Sequence, residues 1–261
     1  MTTSSSAIRV VTIAHNVFRE TVREQVLYLL LLFGGIMASA FALLPQFTGL
    51  AERDLIPNVG TAAIEVVSLV VVAFVGANLI NREIDKRTIL PLIAKPLGRA
   101  DFLLGKLLGL WLVLLVLISA MTAGLLLLMG LAKVALPIGA MAVSSAFLCL
   151  QFLLLGTFAL FYGSFTSSLV ASLLTFATYL VGHFSADLLQ LGKISNNPAT
   201  KRLTEILFLL LPDLSRTNLK NLAIYGDLPP SDQLLQSAVY TLSYTLIVLA
   251  LTIVIFGKKE F

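Results

Sequence analysis

The chain has 261 residues, of which 58% are apolar and only 12% charged, and its mean hydropathy is +0.96. Soluble domains carry roughly a quarter charged residues, so a large soluble catalytic domain is excluded, and so is disorder, which needs low hydrophobicity and high charge. The 18 Lys and Arg against 14 Asp and Glu sit between apolar blocks, where they set membrane topology rather than bind nucleic acid.

Met1–Ser6 is followed by no short apolar region with a small-residue cleavage site, so no cleavable signal is expected. Residues 7–25 form an amphipathic helix. At 100° per residue Val10, Ile13, Ala14, Val17, Phe18 and Thr21 share one half, and Arg9, Thr12, Asn16, Arg19, Glu20 and Arg23 the other. Running directly into an apolar block, it is expected to lie in the headgroup plane; a plain cytoplasmic extension of the first span is the alternative.

A helical span needs about 20 mostly apolar residues. By that measure the spans fall near 26–46, 60–81, 106–131, 137–162, 167–186 and 234–257. The fourth and fifth come from one uncharged run, Val134–Ala186, too long for one crossing and broken at the polar stretch Gly163–Ser168. Six spans put both termini on one side. If that side is cytoplasmic it holds Arg9, Arg19, Arg23, Arg82, Lys86, Arg87, Lys95, Arg99, Lys106, Lys258 and Lys259. The other side holds Arg53, Lys133 and five basic residues of the long 187–232 segment, which also carries acids and weighs less. Both termini are therefore expected in the cytoplasm.

The loop 82–101 is the densest in information. Thr88 can cap a short helix with Pro91 in its first turn, Lys95-Pro96 ends it, and Asp101 favours the start of the next helix. Ile89, Leu90, Leu92 and Ile93 then need a cover, either a soluble partner docked on the face or lipid. The 187–232 segment carries short helices; its apolar run Leu203–Leu211 is too short to span, and Pro229-Pro230 opens the last helix.

Glu65 lies about two turns inside the second span. It is either a substrate-facing or proton-relay carboxylate, or one that snorkels to the interface, the second being the default reading. His183 reads as an interfacial residue, and Asn78 and Gln151 as amides in interhelical hydrogen bonds. Gly105 and Gly109 form a GxxxG spacing that can bring two helices close. No Gly-x-x-x-x-Gly-Lys-[Ser/Thr] occurs, so no P-loop is expected on this chain, and with no Cys pair and two histidines no ordinary metal site is expected either.

Several segments then come together: the basic entry Phe18–Tyr28; Arg82-Glu83-Ile84-Asp85-Lys86-Arg87-Thr88-Ile89, then Leu92, Lys95-Pro96, Arg99 and Phe102–Lys106; Leu211-Pro212-Asp213-Leu214; and Asn221–Gly226. In this order and spacing, over the whole chain, they resemble permeases of the type-2 ABC exporter superfamily. The branch that they are most similar to includes the permease of the nitrous-oxide-reductase copper-maturation system. Arg87 departs from the Gly that many members place before the Thr.

The resemblance implies an all-α polytopic membrane protein: six transmembrane helices, an N-terminal amphipathic interfacial helix and a short cytoplasmic coupling helix, all in one transmembrane domain. It implies a bacterial inner-membrane location, a second permease copy as homodimer or related permease, and a separate ABC ATPase subunit that binds ATP and Mg. The chain itself is then no enzyme and carries no cofactor. Ile89, Leu90, Leu92 and Ile93 would dock on the ATPase, with Glu83, Asp85, Lys86, Arg87 and Thr88 completing the coupling site, while Glu65, Asn78 and Gln151 are candidates for the substrate path. The alternative is a stand-alone secondary transporter or channel using Glu65, which calls for inverted repeats and broken helices; no repeat is found.

Overall fold

The computed structural model describes residues 3–48, 52–85, 98–134, 137–195 and 197–258. All regular structure among them is helical. Helix α1 (Thr3–Thr21) passes through a π turn, Val22–Val26, into α2 (Leu27–Thr48). Helix α3 (Glu52–Val70) passes through a second π turn, Val71–Gly76, into α4 (Ala77–Asp85). Then come α5 (Arg99–Leu131), α6 (Ile138–Gly163), α7 (Ser168–His183), α8 (Ser185–Ile194) and α9 (Pro198–Leu210). A 3-10 turn (Leu214–Thr217), α10 (Lys220–Tyr225) and α11 (Ser231–Lys258) complete the chain.

Among the described residues four helices are long and apolar enough to cross a membrane: Ile56–Glu83, Arg99–Leu131, Ile138–Gly163 and Ser231–Lys258. The pair Ser6–Glu24 and Leu27–Ser39, bent by 48°, makes a fifth if taken as one span. Ser168–His183 is apolar but only 16 residues long, about 24 Å against a hydrocarbon core of about 30 Å. Two helices exceed their predicted spans. The second continues through its π turn to Asp85, and the third begins at Arg99, directly after Gly98 in extended backbone, with Asp101 in its first turn. At 33 residues, α5 is about 50 Å long and extends beyond a bilayer core.

The core sits where α3, α5 and α6 meet. Ile64, Val67 and Val72 pack with Leu114, Leu117 and Ile118 of α5 and with Phe152 and Leu155 of α6. Outward faces stay apolar, as with Leu242, Leu246 and Ile247 of α11, which is how a helix meets lipid instead of water.

The apolar arc of α1 is covered by α5. Ala14 and Val17 are buried, while Asn16 and Arg19 are exposed. The two glycines of the GxxxG lie under this crossing. A Cβ on Gly105 would stand 2.7 Å from the Ile13 Cβ, and one on Gly109 would stand 2.9 Å from the Ala14 carbonyl oxygen. Only glycine lets the α1 backbone come this close.

Both ends of the described chain lie at one end of the bundle. Ser6 Oγ donates to Asp101 Oδ1 at 2.5 Å, and two residues earlier on α5 the Arg99 guanidinium donates to the carbonyls of Phe256 and Gly257.

Candidate functional site

Two groups of charged side chains stand far apart on the rod formed by α3 and α4, one at its last turn and one thirteen residues from its start. Glu83 and Glu65 are 18 residues apart, about 27 Å along a helix. Glu83 stands on the last turn of α4, at the root of the segment that follows. It turns inward: Lys106 Nζ donates to its Oε1 at 2.8 Å, and the lysine side chain is only 9% exposed. The ammonium also lies 5.4 Å from the centre of the Phe102 ring, within cation–π range. Arg82 points the other way, 3.9 Å from Glu20 and 3.8 Å from Glu24. These two contacts are half exposed and contribute little, whereas the buried lysine is held by the Glu83 carboxylate.

Asp85 closes α4. Lys86, Arg87, Thr88, Ile89, Leu90, Leu92 and Ile93, the remainder of the predicted coupling site, lie outside the described residues. Asn78, one turn above Arg82, accepts a hydrogen bond from the Ser168 hydroxyl at the start of α7. It also lines a cavity of about 50 Å³ shared with Thr21, Arg82, Glu83 and Lys106.

In the other group Glu65 does not snorkel. It is 3% exposed. Tyr179 of α7 donates its hydroxyl to Oε1 at 2.8 Å, and Lys220 at the start of α10 donates Nζ to Oε2 at 2.7 Å. His183 Nδ1 comes within 3.9 Å of Oε1, too far for a hydrogen bond, and this buried nitrogen has no hydrogen-bond partner. Its ring lies beside Tyr179, with centroids 5.5 Å apart. Glu65 thus joins a span, the apolar helix α7 and the short helix α10. Gln151 is fully buried on α6 and accepts from the Thr217 hydroxyl at 3.1 Å, tying the same loop to the bundle from the other side.

Sequence reading singled out Glu65 but neither Tyr179 nor Lys220. A signal was there: a carboxylate at membrane depth needs a cation or a donor, and Lys220 stands on the side of the chain's charge tally to which Glu65 is nearest.

The loop bearing Lys220 is anchored by Asp213. Its carboxylate accepts from Ser185 Oγ at 2.7 Å, from Ser215 Oγ at 2.6 Å and backbone N–H at 3.2 Å, and from Arg216 Nε at 3.0 Å. Burial pushes the Asp213 carboxyl up, but these hydroxyl donors and the Arg216 charge outweigh it and hold the group below the usual carboxylate range. A depressed folded value stabilises above the ordinary value of about 4 and loses that contribution as pH falls through the folded one. Asp213→Ala is therefore expected to lower stability at pH 7 by about 2 kcal/mol. The gap to wild type should close in acid, as read by thermal unfolding in nanodiscs at both pH values.

Residues 11–261 match the family described as "ABC-2 family transporter protein". No curated protein matches the chain.

Proposed function

The chain belongs to the ABC-2 transporter family, and from that premise we propose a six-span exporter permease that docks its ATPase through the 82–101 loop. The chain is a multi-pass membrane protein and the permease subunit of an ABC transporter. Such a subunit works with an ABC ATPase in the bilayer, and ATP and Mg are bound and turned over on that partner.

The observation that carries the docking reading is the Glu83–Lys106 pair. The sequence reading pointed Glu83 at the ATPase; its inward pairing supports a different part in the same function. It fixes the root of the 86–97 segment to α5, so a push on that segment is delivered to two spans instead of being lost in a slack loop. Ile89, Leu90, Leu92 and Ile93 provide the apolar face for docking, and Asp85, Lys86 and Arg87, with Thr88 as cap, surround it with charge. Nucleotide-driven closure of an ATPase pair then biases a bundle with two packings.

The six spans of this reading are the four long helices, α2 after the bend, and α7 prolonged by α8. The 48° bend between α1 and α2 and the exposed Arg19 of α1 and Arg23 of the π turn favour an interfacial α1 on the cytoplasmic side, with both termini there. The charge distribution, densest around 82–106, agrees with that orientation. A second permease copy completes the transporter, and the likeness to the copper-maturation branch supports a bacterial inner-membrane location.

Co-expression with a cognate ABC ATPase tests this reading. The permease purified alone is expected to hydrolyse no ATP. Purified through a permease tag from cells expressing both, it should bring down the ATPase in equal amount and with it the activity. A permease that hydrolyses ATP alone, or never retains an ATPase, refutes the assignment.

A further inference from the structure

The Glu65 cluster has more in it than a helix contact requires. A buried ion pair is poor value as glue, because apolar residues of the same volume usually do as well or better. This pair is also asymmetric. The Glu65 side chain is 5% exposed and the Lys220 side chain 29%, so the carboxylate belongs to the bundle while the ammonium reaches in from the loop side. Lys220 stands on a six-residue helix between a 3-10 turn and a left-handed cap at Gly226, φ 78°, a short piece able to move as a unit.

The space beside the pair is walled mostly by apolar side chains, Ile64, Met141, Leu148 and Leu219 among them, with several hydroxyls between. A cavity of about 30 Å³ adjoins Glu65 and Lys220, and Thr61, Thr122, Ser144 and Ser145 contribute to its wall. That is room for one water in the present closed arrangement. Withdrawal of the lysine head would add its own volume to that space, next to a carboxylate with one oxygen still held by Tyr179. Among the described residues the two groups that hydrogen-bond the carboxylate both donate to it, the Tyr179 hydroxyl and the Lys220 ammonium. Such a site is built to receive a compact head with several N–H donors.

We propose that Glu65, with Tyr179, is a binding site for a primary ammonium group on the transported molecule, and that Lys220 occupies this site as a built-in substitute until the cargo displaces it. The carboxylate never stands without a cation, which is the state that burial forbids. Displacement of Lys220 removes the charge contact that ties α10 to Glu65 of α3, leaving the apolar packing of Leu219, Ala223 and Ile224 to hold it, and so loosens the end of the bundle remote from the coupling segment. Arrival of an amine and opening of that end are then one event, since both compete for one carboxylate. The identity of the bound head group rests on geometry alone; its role as cargo rests on the transport reading above.

Chemical rescue tests the site on the permease by itself, in nanodiscs. Lys220→Ala empties the position and should lower the unfolding temperature by about 5–10 °C. Ethylammonium at tens of millimolar should recover at least half of that loss by mass action, whereas equal sodium chloride should recover none. The double variant Glu65→Gln/Lys220→Ala should be insensitive to the amine. If Lys220→Ala does not fold, Lys220→Gln, longer and neutral, takes the same test. No recovery by ethylammonium, or equal recovery by sodium, overturns the ammonium site.

Cargo is read separately, in the complex with the ATPase. Primary alkylamines should stimulate ATP hydrolysis at least twofold in wild type and not in Glu65→Gln. Rescue without stimulation overturns the assignment of the amine to the cargo. Failure of the ATPase to bind refutes the transport reading alone, because the rescue needs no ATPase.

Discussion

Lys106→Met is expected to lower the stability of the permease by about 2–4 kcal/mol, because it removes the buried ammonium that donates to Glu83. The lysine side chain is 9% exposed and its partner 26%. The loss therefore falls short of that for a fully buried pair but well above the near-zero value of surface pairs such as Arg82 with Glu20. Methionine keeps most of the apolar stem that packs near Phe102, so what is lost is the charge contact and not the volume. The exchange Lys106→Glu/Glu83→Lys restores opposite charges and should recover part of the loss. A double-mutant cycle by denaturation in nanodiscs checks this, with a coupling energy of about 1 kcal/mol or more as the expected result. A coupling energy near zero would mean that the pair does not hold the root of the segment.

The consequence reaches beyond stability. Helices α3 and α4 form one rod from Glu52 to Asp85, interrupted only by the π turn Val71–Gly76. Glu83 anchors its last turn to α5, and Glu65, thirteen residues from its start, is held by α7 and α10. Gly76 lies against Ala159 and Gly163 against the Ala77 carbonyl, so the middle of the rod is pressed close to α6. The stretch of helix between these two charge contacts, about 27 Å long, is suited to transmit a displacement. The π turn beside Gly76 is where such a rod can flex, since π turns are local weak points in a helix.

Much of this was legible in the sequence. The membrane-spanning character, the all-helical class and the amphipathic face of α1 follow from apolar run length and the helical period, because both report what each face must touch. The chain pairing at Gly105 and Gly109 could be suspected from the spacing, but its partner could not, since a GxxxG says that a backbone approaches and not which one. The extent of α5 was underestimated for a physical reason. Lys106 reads as a loop charge until its carboxylate partner is known, and that partner comes from another helix. Glu65 shows the same limit. Its cost at membrane depth was plain, but Tyr179 and Lys220 lie 114 and 155 residues away in sequence, and periodicity carries no information on pairs so distant. Leu92 and Ile93 belong to the reverse case, an apolar face marked in the sequence and lying outside the described residues.

Leu92→Asp/Ile93→Asp places two carboxylates on the face proposed to dock the ATPase. Burying even one unpaired charge at such a contact costs several kcal/mol, enough to reduce an ordinary micromolar contact beyond detection. The test is co-purification of the ATPase through a tag on the permease, with wild type and double variant compared at equal permease yield and equal unfolding temperature. The ATPase should be retained by wild type and lost from the variant. An ATPase retained in full by Leu92→Asp/Ile93→Asp would contradict the docking of this permease through its 82–101 loop.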